Sequence, residues 1–295
     1  MNHAAIEPIS SVFLRLGPIT IFWYAIMILA GVLVGLLLGI AEGKKMGIKA
    51  EFFQDLVLWG LPIAILGARI YYVIFNWGYF SQHTSHILQI QRGGLAIHGA
   101  LIAVFIYGLV YCRKKGMNPW LIMDIGFVSF FVSQAIGRWG NFFNQEAYGG
   151  VVPGADLDAQ RAWLSSFSLP RFVIDNMLIN GNYHHPTFLY EGIWNLIGFL
   201  IAVVILRRLS FLLVGEIAAF YGIWYSLGRF FIEGMRTDSL MLTETIRMAQ
   251  FISVAIIIAV IAAVAVRRAK KINMETYASY YGGQKIKKKA KSYAV

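Results

Sequence analysis

Apolar runs of membrane-spanning length alternate along the chain with short polar breaks. The first run covers about 19–41 and is followed by Lys44, Lys45 and Lys49. Others cover about 55–75, 95–112, 120–138, 187–206, 213–232 and 248–266. A helix needs about 20 apolar residues to cross a bilayer, and each run meets or approaches that length. The pattern predicts an all-α polytopic membrane protein with seven transmembrane helices. Ile9–Leu16 is also apolar but too short to span, and it ends at Gly17-Pro18. It is expected to lie in the interface. Residues 142–185 are mixed and polar, the one stretch able to form a small head outside the bilayer.

The basic residues set the orientation. Every lysine falls on one side of the seven-span arrangement, after odd-numbered spans or in the tail, while the other side and the spans hold only arginines. The positive-inside rule then places the N-terminus outside and the C-terminus in the cytoplasm. The expected organisation is an outer interfacial segment (1–18), spans one to four (19–141), an extracytoplasmic head (142–185), spans five to seven (186–271) and a basic cytoplasmic tail (272–295). Residues 1–18 do not read as a signal peptide, because they lack a basic start and are interrupted by Glu7 and Pro8. The localisation that follows is a multi-pass plasma membrane protein.

Composition agrees with that class. The chain has 295 residues, 58% hydrophobic and 14% charged, against about 25% charged in a soluble domain. The net charge of +11 is spread over short clusters between spans, so no nucleic-acid partner is expected. Lys285 to Lys291 suit anionic lipid at the inner leaflet. The single cysteine, Cys112, excludes a disulfide framework or a cysteine metal site. His83 and His86, and the pair His184-His185, lack the further ligands of a metal site. No P-loop or nucleophile elbow is present, so neither a metal nor a cofactor is expected.

Three places put polar side chains where hydrocarbon should exclude them. Arg92-Gly93-Gly94-Leu95-Ala96-Ile97-His98-Gly99 opens the third span, with glycines that permit close backbone approach and with His98 about one turn inside. His98 is either a helix-packing histidine or a base and headgroup contact. Gly137-Arg138-Trp139-Gly140-Asn141-Phe142-Phe143-Asn144-Gln145-Glu146 closes the fourth span. A charge at the bilayer centre costs roughly 3 kcal/mol, and Asn141 and Glu146 give Arg138 company that a merely snorkelling arginine does not need. In the sixth span Tyr225, Arg229 and Glu233 are four residues apart and share one helix face, which must look into a cavity or at other helices. Arg69, deep in the second span, also needs a partner. Arginine suits bidentate phosphate binding. From the residues alone, a phospholipid-processing enzyme and a lipid or small-anion transporter stand level.

The motifs also carry a resemblance. Gly93-Gly94-Leu95-Ala96-Ile97-His98-Gly99, the run Gly137 to Glu146, His185-Pro186-Thr187-Phe188-Leu189-Tyr190-Glu191, and Gly228-Arg229-Phe230-Phe231-Ile232-Glu233 with Arg236 and Asp238 resemble, in order, motifs of the bacterial prolipoprotein diacylglyceryl transferase family. Gln145 stands where that family often has glycine, and Thr237 where it often has proline before the aspartate. The resemblance implies transfer of the diacylglyceryl group of phosphatidylglycerol to the lipobox cysteine of a prolipoprotein signal peptide, with release of glycerol 1-phosphate. It implies that Arg138 binds the lipid phosphate, that Asn141, Glu146 and Gly149 shape the headgroup pocket, and that Arg229, held by Glu233 and Tyr225, is the second cation. His98 becomes the candidate for proton transfer. Tyr24 matches a family tyrosine that touches lipid, and Arg69 remains a further binding candidate.

Overall fold

The computed structural model describes residues 8–281, apart from the side chain of Arg92. The start of the expected outer segment, before Pro8, and the residues beyond Tyr281, with the expected lipid-facing Lys285 to Lys291, lie outside that description.

The chain opens with an antiparallel hairpin, β1 (Val12–Leu16) and β2 (Ile19–Phe22). Gly17 turns it with φ +59°, and β2 runs straight into α1 (Trp23–Lys45). The expected start of the first span near residue 19 is thereby corrected. Ile19, Thr20 and Ile21 are β-branched residues beside a glycine turn, and they pair with β1 before the helix begins. The helices that follow are α2 (Ala50–Phe75), the short α3 (Trp77–Phe80), α4 (Ile97–Lys114) and α5 (Pro119–Asn144). After α5 come α6 (Leu157–Ser165), α7 (Arg171–Asn176), a second hairpin β3 (Leu178–Ile179) and β4 (Asn182–Tyr183), then α8 (Thr187–Leu200), α9 (Glu216–Glu233) and α10 (Met248–Ala269). Beyond Leu200, α8 continues through a π-helical stretch, Ile201–Ile205, and a 3-10 turn, Leu206–Arg208. The fold is thus mostly helical with two small hairpins, rather than wholly α.

Among the described residues, six helices are long and apolar enough to cross a membrane: α1, α2, α4, α5, α8 with its continuation, and α10. The seventh expected span is α9, 18 residues long, and it falls outside that group. It carries Glu216, Arg229 and Glu233 within its length. The helix ends follow the sequence. Lys44 and Lys45 occupy the last turn of α1, where cations complement the helix dipole, and Gly47 follows at φ +78°. Pro119 opens α5, where its missing N–H costs nothing.

The chain divides into two compact units. One comprises the residues up to Gly35 with Gly126–Ala278, and the other Leu36–Ile125 with the described residues from Ser279 onward. In the second unit α2 packs on α4 with Gly67 against Gly99; a Cβ on Gly67 would sit 2.6 Å from the Gly99 carbonyl oxygen. Such small-residue contacts replace the hydrophobic drive that lipid removes.

In the first unit α9 packs against both α8 and α10. Residues 142–188 contribute a buried core of Phe142, Val152, Leu164, Val173, Ile174, Met177, Tyr183 and Phe188. The β3–β4 turn there is Asn180-Gly181, with φ +51° and +80°, the pairing a tight hairpin requires.

Candidate active site

The first unit joins four charged side chains from three helices. Arg138, six residues before the end of α5, pairs through Nη2 with Oε2 of Glu191. Arg229 on α9 places Nη1 3.3 Å from Oε1 of the same Glu191. Its Nη2 lies 2.6 Å from Oε2 of Glu233, one turn further along α9. Glu191, in the first half of α8, therefore presents one oxygen to each arginine. Both glutamates are buried, at 7% and 3% side-chain exposure, while Arg138 and Arg229 keep 18% and 20%. A buried carboxylate is tolerated only when paired, and these pairs explain why charges survive in helices that are otherwise apolar.

The predicted company of Arg138 is present. Its Nη1 donates to Asn141 Oδ1 at 3.4 Å, and Asn141 Nδ2 donates to Glu146 Oε1 at 2.8 Å. Asn141 follows Arg138 by three residues and so shares its helix face. Glu146 reaches back because the helix stops at Asn144, with Gln145 and Ala147 both in the left-handed region, at φ +49° and +59°. Left-handed backbone disfavours a side chain by roughly 1–2 kcal/mol, a cost that glycine would not carry at position 145. Here Gln145 Nε2 donates to the Asn176 carbonyl at 3.2 Å.

Gly149 sits in a junction of backbone strands. Its N–H donates to the His185 carbonyl at 3.0 Å, the His185 N–H donates to Gly150 at 3.0 Å, and the Gly150 N–H donates to Met235 at 2.9 Å. A Cβ on Gly149 would meet the His185 Cβ at 2.8 Å, so only glycine fits. This junction ties the end of α9 to the stretch after α5. Beyond it, Arg236 holds Asp238 in a two-pronged pair, at 2.9 Å for each bond. The bond from Arg236, set against partial burial, keeps the Asp238 carboxyl below its ordinary pKa. Thr237 donates its N–H to the Tyr148 carbonyl at 3.4 Å, a contact that proline could not make. Burial pushes the His185 imidazole below its ordinary value, and neighbouring His184 adds to the effect.

Tyr225 stacks on Tyr221, with ring centroids 5.8 Å apart. The expected grip of Tyr225 on Arg229 is taken instead by Glu191. Tyr24 lies half-exposed near the start of α1 with its ring against Gly140, where a Cβ would approach it to 2.7 Å.

His98 and Arg69 belong to the second unit. His98 is exposed in the first turn of α4, its ring 6.0 Å from that of Tyr71. Arg69 is buried, and all of its bonds go to backbone carbonyls: Nε to Ile87 at 2.8 Å, Nη1 to Gly93 and Gly94 at 2.8 Å each, and Nη2 to His86 at 2.6 Å. A cavity of about 320 Å³ opens beside it, lined in part by Tyr72, Asn76 and Tyr79. Arg69 thus works here as a clamp on the loop that leads to His98.

A family model described as prolipoprotein diacylglyceryl transferase matches residues 11–266. The chain belongs to that family. Relatives named phosphatidylglycerol--prolipoprotein diacylglyceryl transferase are similar over almost their whole length. The one from Bacillus licheniformis is 49% identical over 277 residues, 94% of this chain and 99% of its own. The one from Geobacillus kaustophilus is 51% identical over 268 residues, 91% and 96%. That of Limosilactobacillus reuteri is 45% identical over 280 residues, 95% and 96%.

Family membership makes this chain a transferase and a multi-pass membrane protein, and it separates the enzyme from the transporter that the residues alone left level with it. For the transferase, the residue that the sequence did not single out is Glu191. It closes the run from His185 to Glu191, and the signal was available: a carboxylate within an apolar span calls for a cation.

Proposed function

We propose that the chain transfers the diacylglyceryl group of phosphatidylglycerol to the thiol of a prolipoprotein lipobox cysteine. The sulfur attacks the glyceryl carbon, a thioether forms, the carbon–oxygen bond to phosphorus breaks, and glycerol 1-phosphate leaves with the electron pair. Two demands follow. The thiol, with an unperturbed pKa near 8.5, must lose its proton. The phosphate must be held and its growing charge stabilised.

The observation that supports this reading best is the meeting of Arg138 and Arg229 on one carboxylate. Two guanidinium groups aimed at a common anion are suited to a phosphodiester, with one non-bridging oxygen for each. Asn141 and Glu146 fix the direction of Arg138, and Glu233 fixes that of Arg229. Tyr24 and Tyr225 border the lipid side, and Gly149 keeps the junction tight. His98 takes the thiol proton. Arg69 holds the loop before His98.

In this reading α9 is the seventh membrane helix, its charged face turned inward. The N-terminus is extracytoplasmic and the lysine-bearing ends are cytoplasmic, as the positive-inside rule directs. Residues 142–185 form the outer head that receives the signal peptide.

Arg138→Ala and Arg229→Ala test the proposal. Each is expected to abolish thioether formation from phosphatidylglycerol and a lipobox peptide in detergent, with folding and insertion intact. Full activity in either variant removes the mechanism. Bond formation in micelles, where no second compartment exists, distinguishes the enzyme from a transporter.

A further inference from the structure

The arginine pair is electrically satisfied by carboxylates of the protein itself. Arg138, Arg229, Glu191 and Glu233 carry two positive and two negative charges, linked into one network. A phosphodiester brought to this network would leave it with an uncompensated negative charge, in a setting that screens charge poorly. Buried charge without a partner is costly. Binding therefore requires one carboxylate to give up its arginine contacts.

The two glutamates are not equivalent. Glu233 sits on the same helix as Arg229, four residues on, and its ion pair is local. Glu191 comes from a different helix and touches both arginines, Oε2 facing Arg138 and Oε1 lying 3.3 Å from Arg229. Its contact with Arg229 is the longer of that arginine's two carboxylate contacts, 3.3 Å against 2.6 Å. A phosphate that engages both arginines would present two oxygens in the same manner, so it competes for the position Glu191 holds.

We infer that Glu191 is the resident counter-ion of the phosphate site. It presents one carboxylate oxygen to each guanidinium group, as a two-oxygen anion would. The phosphodiester of the substrate displaces it from at least one arginine. After transfer the leaving group is a phosphate monoester, with a charge of about −1.5 to −2 at neutral pH, and the freed arginines would hold it more tightly than they held the substrate. Return of Glu191 to the arginines drives that product out. The exchange forms and breaks ion pairs only and leaves the covalent step unchanged. This inference rests on the assignment of Arg138 and Arg229 to the lipid phosphate.

Glu191→Gln removes the competing charge while keeping the shape. Inhibition by glycerol 1-phosphate is expected to tighten about tenfold, the KM for phosphatidylglycerol to fall, and kcat to fall with it as product release slows. A purely structural role predicts the opposite in KM, because loosened arginines would bind lipid less well. Glu191→Asp retains the charge but shortens the reach, so it is expected to shift inhibition in the same direction by less, and it serves if the glutamine variant does not fold. Unchanged or weaker inhibition in the folded variants overturns the exchange. Arg138→Lys distinguishes a failure of the exchange from a failure of the phosphate site. If product inhibition of the wild type does not depend on Arg138, the phosphate site itself is misplaced. If it does depend on Arg138 and the Glu191 variants leave it unmoved, only the exchange fails.

Discussion

Trp194 and Trp224 donate to one another's backbone. The indole of Trp194 gives a hydrogen bond of 2.8 Å to the Trp224 carbonyl, and that of Trp224 gives one of 2.9 Å to the Trp194 carbonyl. The rings stack with centroids 4.4 Å apart and planes 17° from parallel. This reciprocal clasp fixes the register of α8 against α9. Glu191 stands three residues before Trp194, and Arg229 five after Trp224, so the clasp also sets the Glu191–Arg229 separation.

Gly228 is the test of that clasp. A Cβ added there would lie 2.4 Å from Cδ1 and Nε1 of Trp194. Gly228→Ala must push the indole away, break one hydrogen bond and part the helices. Overpacking of this kind costs roughly 1–3 kcal/mol. The expected result is a lowered melting temperature together with a loss of transfer activity larger than the loss of folded protein. Wild-type turnover in a variant with a normal melting temperature would show that the α8–α9 register does not matter to the chemistry.

Arg69→Ala separates a clamp from a lipid ligand. The change strips donors from the carbonyls of His86, Ile87, Gly93 and Gly94. These are bonds from a charged group, each worth roughly 1.5–3 kcal/mol, although the His86 carbonyl keeps its bond from the Gln89 N–H. A lower melting temperature and new proteolytic cleavage between Gln82 and Gly94 are expected, with activity falling because the loop no longer presents His98. Arg69→Lys offers three donors in place of a fork and is expected to fall between the two. A variant that melts normally and loses only affinity for phosphatidylglycerol would return Arg69 to the binding list.

What could be read from the chain and what could not divide along physical lines. Apolar runs of spanning length and lysine clusters reveal membrane helices, because hydrocarbon leaves the backbone little choice. Six of the expected spans are helices of that kind. The helix carrying Arg229 and Glu233 was legible as an amphipathic face, though its charges set it apart from the other six. The Arg229–Glu233 pair was legible too, since it is a matter of spacing on one helix. The partners of Glu191 were not, because they lie on two other helices and spacing carries no information between helices. The same is true of Arg69, whose need for a partner was plain while its answer, four carbonyls from a loop, was not. The opening hairpin was missed because a short apolar stretch has no period long enough to separate strand from interfacial helix.

The junction around His185 predicts a pH response in the part of the chain outside the membrane helices. Burial lowers the pKa of this imidazole in the folded protein, and His184 adds to the shift. The unfolded chain takes up the proton near the ordinary value of about 6.5. The stabilising contribution is therefore complete above that value and is lost as pH falls through the lower, folded one. The amides of Gly149, Gly150 and His185 bond across this junction. Their hydrogen exchange, corrected for intrinsic rates, is expected to speed up as pH drops below about 6.5. His185→Asn should flatten that dependence. Exchange that stays pH-independent in the wild type would mean that His185 keeps the same proton in both states.

His98→Gln addresses the proton. His98 is exposed in the first turn of α4, where a glutamine amide can be accommodated without burying an unpaired group. Glutamine keeps a donor and an acceptor but cannot take up a proton under working conditions. If His98 accepts the thiol proton, turnover falls by about 10²-fold or more, while the melting temperature and the KM for phosphatidylglycerol stay close to wild type. Supplying the peptide substrate already as a thiolate, at a pH above about 8.5, should then recover part of the lost rate. Near-normal turnover in His98→Gln would rule out proton transfer by this side chain. Lost turnover without any recovery at high pH would make it a contact for substrate, and the base would have to be sought among the carboxylates of the first unit.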